Sequence, residues 1–227
     1  MLVGSNPEEA HPVVGMQIRQ AVQRGCKLIV VDPRDIGLAK HADIHLKLKP
    51  GTNVAFANGI MNVIISEGLQ DDKFIAERTE GYEKIKEIVK DYTPERVAQI
   101  CHIDAEDLRK AAIMYAKAKM APIIYCLGVT EHSTGTEGVM SMSNMALLVG
   151  KLGREGCGVN RGQNNVQGAC DMGASPTDFP GYQKVANPDV VAKFEKAWNT
   201  KLNPNPGLHA TDVFPAAIRG EIKGLYI

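Results

Sequence analysis

Leu28-Ile29-Val30-Val31-Asp32-Pro33-Arg34 is the stretch on which the fold turns. Its first four residues form a continuous apolar run with no polar alternation. That pattern marks a strand covered on both faces, as in a parallel sheet between helices. Asp32-Pro33-Arg34 closes the run. Upstream, Leu2-Val3 reads as a strand entering the turn Gly4-Ser5-Asn6-Pro7. Between the two, Pro12 suits the first position of a helix with Val14, Ile18, Ala21 and Val22 on one face, and Gly25 ends it. The unit is strand, helix, strand.

The same alternation continues downstream. A short helix around Ile36–Ala39 precedes an alternating strand over Ile44–Leu48, and Pro50-Gly51-Thr52-Asn53 is a loop. The spacing predicts a helix over Val54–Glu67, stopped by Gly68. Thr93-Pro94 starts another helix, with threonine as cap and proline in the first turn. Asp104 starts a third, through about Lys119, with Leu108, Ala111, Ala112 and Tyr115 apolar. Pro122–Leu127 is the next buried strand, closing at Gly128. Thr134-Gly135-Thr136-Glu137 has the spacing of a capping box and opens a helix to about Leu152. Gly153–Tyr182, dense in Gly, Asn, Gln and Pro, reads as a long loop, functional or disordered. Helices recur near Pro188–Trp198 and Thr211–Arg219, and Gly224–Ile227 reads as a further strand. Strands alternating with helices make the class α/β, with a mainly parallel sheet flanked by helices.

Composition narrows the function classes. The 227 residues are 44% hydrophobic and 23% charged, as in a globular chain with a sizeable core. Lys+Arg and Asp+Glu are 26 each, so nothing supports a nucleic-acid or anionic-membrane partner. The five cysteines form no CxxC pair and no evident disulfide framework, which fits a reducing compartment. No apolar run approaches the about 20 residues of a membrane span. Met1–Pro7 lacks the pattern of a signal peptide. The expected location is cytoplasmic, without membrane insertion.

In such sheets ligands bind at the carboxyl ends of the strands. Four loops are therefore informative: Gly4–Pro12, Asp32–Asp35, Pro50–Asn53 and Gly128–Gly135. Gly4, Ser5 and Asn6 let backbone approach a ligand, and the helix that follows favours a phosphate; the same residues also make ordinary turns. Asp32 can accept from ribose hydroxyls or a base edge, or it can pair with Arg34. No GxGxxG is present, which counts against a plain NAD site. Glu131 can accept from the two donors of a guanine edge, or it is a solvated loop carboxylate. His132 alone is weak evidence. Asn160–Gly173 sets amides beside glycines and one arginine. Amides suit a heterocycle such as a pterin, and Arg161 offers a rigid fork to a carboxylate or phosphate.

Arg161-Gly162-Gln163-Asn164-Asn165-Val166-Gln167-Gly168-Ala169-Cys170-Asp171-Met172-Gly173 resembles the formate dehydrogenase branch of the molybdopterin oxidoreductases. So do Gly4–Pro12, Val31–Arg34, Leu48–Asn53, Gly128–Val139 and Pro180–Val185, in family order over nearly the whole chain. The resemblance implies a Rossmann-like dinucleotide-binding unit and a cofactor of two molybdopterin guanine dinucleotides around Mo or W. It implies that Gly4, Ser5, Asn6, Glu9, Asp32, Pro33, Arg34, Gly51, Thr52, Asn53, Leu127, Gly128 and Glu131 hold one guanosine diphosphate arm. Arg161 then orients formate at the metal, and Gln163 lies near the pterin. Residues 1–158 would form the dinucleotide-binding domain. Residues 159–227 would be a pterin-contacting loop and part of a second related α/β domain, with the strand at Leu225–Ile227.

Two departures from that pattern stand out. The family's cysteine group for a [4Fe–4S] cluster, its Cys- or selenocysteine–His metal ligand and its capping domain have no counterpart in these 227 residues. The expectation is an interior piece of a catalytic subunit, truncated at both ends and inactive alone. Its partners would be the rest of that subunit, formate and electron-transfer subunits. The second departure is local: relatives usually carry two residues between the equivalents of Asn160 and Arg161, and here the two abut. A nitrate or polysulfide reductase type, or a free-standing nucleotide- or pterin-binding module, are the competing readings.

Overall fold

The structure, a computed structural model, describes residues 1–162 and 164–225. They fall into two compact units, Met1–Gly162 and Gln163–Ile227.

The first unit is built on one parallel sheet. Its strands are β1 (Leu2–Val3), β2 (Ile29–Val31), β3 (Ile44–Leu46), β4 (Pro122–Tyr125) and β5 (Gly158–Arg161), in the order β3-β2-β1-β4-β5. The register pairs Val3 with Val31 and with Tyr125, and Tyr125 with Arg161. Successive side chains of a strand point to opposite faces, and the two apolar clusters follow that rule. Val3, Ile29, Val31, Ile44, Leu46 and Ile123 join the larger one, and Leu2, Leu28, Val30 and Ile124 the smaller. With both faces covered, the unalternating run at Leu28–Val31 has its physical reason.

The helices are α1 (Pro7–Ala10), α2 (Pro12–Gln23), α3 (Asn53–Ser66), α4 (Asp72–Arg78), α5 (Tyr82–Val89), α6 (Pro94–Cys101), α7 (Ala105–Lys117), α8 (Leu127–Thr130) and α9 (Gly135–Leu148), with a 3-10 turn at Gly37–His41. The central helix is α3, which buries Phe56, Ile60, Met61 and Ile64, each side chain stabilising by roughly 1.5–3 kcal/mol. Thr93 and Asp104 cap α6 and α7 as expected, accepting from Arg96 N and from Glu106 N and Asp107 N.

Three local expectations are corrected. Val14 is 41% exposed, because α2 packs on the smaller cluster through Ile18 and Val22 and comes close to Glu8 at Gly15. Thr134 makes no side-chain cap bond to α9; its φ of −104 and ψ of 28 keep it out of the extended shape a cap needs. Gly153–Tyr182 is no featureless loop. It holds β5 and, in the second unit, α10 (Asn164–Asp171) and β6 (Asp178–Phe179). Its short polar strand gains its pairing from β4 rather than from apolar content of its own.

The second unit adds β7 (Gln183–Lys184), antiparallel to β6, with α11 (Pro188–Trp198) and α12 (Ala210–Ile218). Phe179 stacks on Phe194 with centroids 4.8 Å apart, and Trp198 lies 4.9 Å from Phe194. Asp178 draws in Thr177 Oγ1 at 2.6 Å and Lys184 Nζ at 2.6 Å, and the lysine holds its carboxyl below the usual range. Tyr226 and Ile227, part of the strand expected at the chain end, lie outside the described residues.

Candidate functional site

The chain crosses from one side of the sheet to the other between β1 and β4. That switch point opens a crevice beyond the carboxyl ends of the strands. Gly4 follows β1 in the left-handed region, φ 53°, and its N–H donates to the Val31 carbonyl at 2.8 Å. A Cβ on Gly4 would lie 2.6 Å from Gly128 Cα, and one on Gly128 would lie 2.6 Å from Gly4 Cα. Only two glycines let these backbones meet. The contact is sealed by Gly128 N–H donating to the Gly4 carbonyl at 3.1 Å. The Gly128 carbonyl in turn accepts from Asn53 Nδ2 at 3.0 Å and from His132 Nε2 at 3.0 Å. Gly51, at φ 87°, makes the turn before Thr52, and the Thr52 hydroxyl donates to the Lys49 carbonyl. Three of the loops singled out in the sequence are thus tied to one another by hydrogen bonds and backbone contact.

The fourth loop is organised separately. Asp32 is buried and accepts from Arg34 N at 2.9 Å and Arg34 Nε at 3.4 Å. The ion pair that the sequence allowed for Asp32 therefore forms, while Pro33 and Arg34 stay exposed. His45 Nε2 donates to the Asp32 carbonyl at 3.0 Å, fixing the loop to β3. Lys47 bonds Asp35 at 2.6 Å and holds its exposed carboxyl below the ordinary range.

Arg161 ends β5 beside Tyr125, at the same edge of the sheet. Its guanidinium makes no ion pair among the described residues, and Arg161 lines an open cavity of about 410 Å³ with Tyr125, Thr130, Gly135, Thr136, Val139 and Met140. Gly162 N–H donates to the Tyr125 carbonyl at 2.7 Å, and a Cβ on Gly162 would come within 3.6 Å of Ser5 Oγ. Ser5 is buried, and Ser5, Cys126 and Gly162 converge where β1, β4 and β5 end. Leu127 opens the one-turn helix α8 over a stretch read as loop. Glu131 and Glu9 are exposed, and Gln163 lies outside the described residues.

Two buried polar atoms near this edge, Asn6 Oδ1 and His11 Nε2, have no partner among the described residues. His11, Tyr125, Thr130 and Thr136 were not read from the sequence as site residues. Tyr125 follows from the β4–β5 register, which the polar composition of β5 hid, and Thr136 from the start of α9, which lines the same cavity. His11 had a visible signal, standing inside Gly4–Pro12, but a lone histidine carries little weight without its surroundings.

All 227 residues match the family model for the molybdopterin oxidoreductases. The chain is 50% identical, over its whole length, to the F420-dependent formate dehydrogenase subunit alpha of Methanocaldococcus jannaschii. It is 46% identical over 99% of its length to formate dehydrogenase H of Escherichia coli. It spans 34% and 32% of those two relatives, about a third of each. Among solved structures, acetylene hydratase from Pelobacter acetylenicus matches 66% of this chain and 21% of its own, with TM-score 0.62 and 35% identity.

Proposed function

Because this chain belongs to the molybdopterin oxidoreductase family, we propose that it is the part of a Mo- or W-dependent formate dehydrogenase that holds one guanine dinucleotide arm and presents Arg161 to formate. The observation that carries this reading is the placement of Arg161. A cation with no counter-ion among the described residues ends a strand at the carboxyl edge of the sheet, beside an open cavity. Residues up to about 158 are the dinucleotide-binding domain in this reading. Residues 159–227 supply the pterin-contacting segment and part of a second related domain.

The residues present fit such a cofactor. The Gly4–Gly128 contact leaves no room for a Cβ at the crevice, and the Asn6 carboxamide, whose buried Oδ1 has no partner among the described residues, can present Nδ2 to a phosphate oxygen when turned over. Gly4, Ser5 and Asn6 then take the phosphates. Asp32 with Pro33 and Arg34, and Gly51, Thr52 and Asn53, border the nucleoside. Leu127, Gly128 and Glu131 offer the guanine edge an acceptor, and Glu9 lies at the rim. The bound metal–dithiolene group supplies the electron sink. Arg161 contributes binding: its planar fork pairs with the two oxygens of formate and fixes the C–H bond in one direction. Tyr125, Thr130 and Thr136 wall that position.

The rest of the catalytic subunit, an iron–sulfur cluster carried on it and electron-transfer subunits are its partners in this reading. No helix among the described residues is long and apolar enough to cross a membrane. Arg161→Lys in the whole subunit tests the assignment, because lysine keeps the charge and loses the fork. The expected result is a fall of about 10²-fold or more in kcat/KM for formate with Mo or W content unchanged. Unchanged turnover overturns the role of Arg161. For the chain alone, calorimetry with millimolar GDP should show weak saturable binding, and absence of heat counts against the loops.

A further inference from the structure

The cavity beside Arg161 lies where α9 begins, and the sequence sets that position tightly. A Cβ on Gly135 would run into the Thr130 carbonyl oxygen, so glycine is what lets the start of α9 press against the end of α8. Gly135 and Thr136, the first residues of this 14-residue helix, line the cavity. Thr134 makes no side-chain cap bond to the helix. Gly135 N–H donates to the His132 carbonyl at 2.9 Å, and Gly138 N–H to the Thr134 carbonyl at 2.9 Å. The amides of Thr136 and Glu137 between them have no partner among the described residues. A helix start leaves such donors over by its geometry, and the aligned peptides behind them act as roughly half a positive charge.

A helix start by itself does not make a site, but a second group stands at this one. Tyr125 lines the same cavity and is 9% exposed, and its hydroxyl makes no hydrogen bond among the described residues. Unlike the Tyr115 hydroxyl, it is not shut away from solvent. The β4–β5 register sets Tyr125 directly beside Arg161, and partners in register share one face of a sheet. No acid among the described residues lines the cavity; Glu137, in the first turn of α9, is exposed and stands outside the lining. The wall thus gathers a guanidinium, a phenol and two backbone amides, all donors, with nothing opposite them to accept.

Resting on the reading of Arg161 given above, we propose that the start of α9 and the Tyr125 hydroxyl are the other half of the carboxylate seat. Arg161 takes formate from one side, and the Thr136 and Glu137 amides with Tyr125 take it from the other. A carboxylate has about four lone-pair sites, more than one guanidinium fork fills. The added donors come from backbone and from one buried side chain, so they are in place before the anion arrives. Tyr125 is then a binding residue for formate and not a mere wall.

NMR on the 227-residue chain tests this, with sodium formate as the probe at constant ionic strength and inorganic phosphate as a second arm. Formate should move the Thr136 and Glu137 amides, the Tyr125 ring and the Arg161 side chain along one saturation curve. Tyr125→Phe removes the hydroxyl alone, and Thr136→Pro removes one amide in the first turn, where proline is tolerated. Each should weaken formate about tenfold, with the spectrum away from the cavity that of the parent. In the whole subunit, Tyr125→Phe should raise KM for formate by about the same factor and change kcat less. Saturation at Arg161 alone, with parental affinity in both variants, overturns the shared seat and leaves the Arg161 reading standing. Phosphate moving these signals where formate does not also overturns it, the helix start then being a phosphate site. If formate moves nothing in this chain, the shared seat falls, and the Arg161→Lys kinetics in the whole subunit decide the Arg161 reading separately.

Discussion

The two units solve the problem of burial in different ways. In Met1–Gly162 a five-stranded parallel sheet is covered on both faces, and α3 and α9 are enclosed along most of their length. In the second unit the sheet formed by the described residues is a ribbon of two-residue strands, and the core is led by Val185, Val191, Phe194 and Ala216. There Phe214 is 62% and Ile218 88% exposed on one helix, and Trp198 is 49% exposed. A region of about 65 residues with that much apolar surface in water has little stability to spare. The lesson is that positional accuracy belongs to the first unit. Arg161 takes its place from β5, on the sheet, and not from the chain that follows.

The contrast can be broken most directly in the cores. Phe56→Ala should cost the first unit about 4 kcal/mol. Trp198 is the only tryptophan, so its fluorescence follows the second unit while circular dichroism is dominated by the first. A urea titration should show the circular dichroism transition moving and the fluorescence transition staying. If both move together, the two units unfold as one and the contrast is wrong. Gly128→Ala comes next, at about 3 kcal/mol, since the added Cβ meets Gly4 backbone rather than a pliable side chain. Should it unfold at the parental midpoint, the tight Gly4–Gly128 contact is not required.

Acidity gives a smaller effect of definite sign. In the 227-residue chain produced on its own, burial pushes the Met1 ammonium down from 8.0 to about 6, against an opposing pull from Cys26, and it donates to the Pro122 carbonyl. The folded value lies below the unfolded one, so between them the unfolded chain holds more protons. First-unit stability should therefore rise as pH goes from about 6 to 8, by about 2 kcal/mol, and fall again on acidification. A flat profile over that window, or a rise confined to the Trp198 signal, contradicts the burial. Least of all are the caps: Asp104→Ala should cost about 1 kcal/mol and Thr134→Ala a few tenths, because only Asp104 makes the bonds. Equal midpoints for the two variants would show that neither cap matters.

Much of the fold was readable from residues alone. The unalternating run at Leu28–Val31, the glycines after the strands, the Thr93 and Asp104 caps and the Pro188–Trp198 helix all rest on local rules: side-chain period, backbone freedom and short-range hydrogen bonds. That three of the loops singled out meet at the carboxyl ends of the strands was also legible, since those ends follow from the class.

What the sequence left undecided depended on partners distant in the chain. Gly158–Arg161 is a strand only because β4 offers a row of unpaired amides and carbonyls, so its polar residues misled a reading by composition. Asp32 could face a ligand or Arg34, and in the folded loop its Oδ1 accepts from Arg34. That Gly4 touches Gly128, that Arg161 stands beside Tyr125, and that Asn6 and His11 keep buried atoms unmet by the described residues are all relations across the chain. Local preference fixes what each segment can form. Which groups are shut away from water, and which meet, is decided only when the segments pack, because burial and contact are properties of the assembled surface and not of any one stretch.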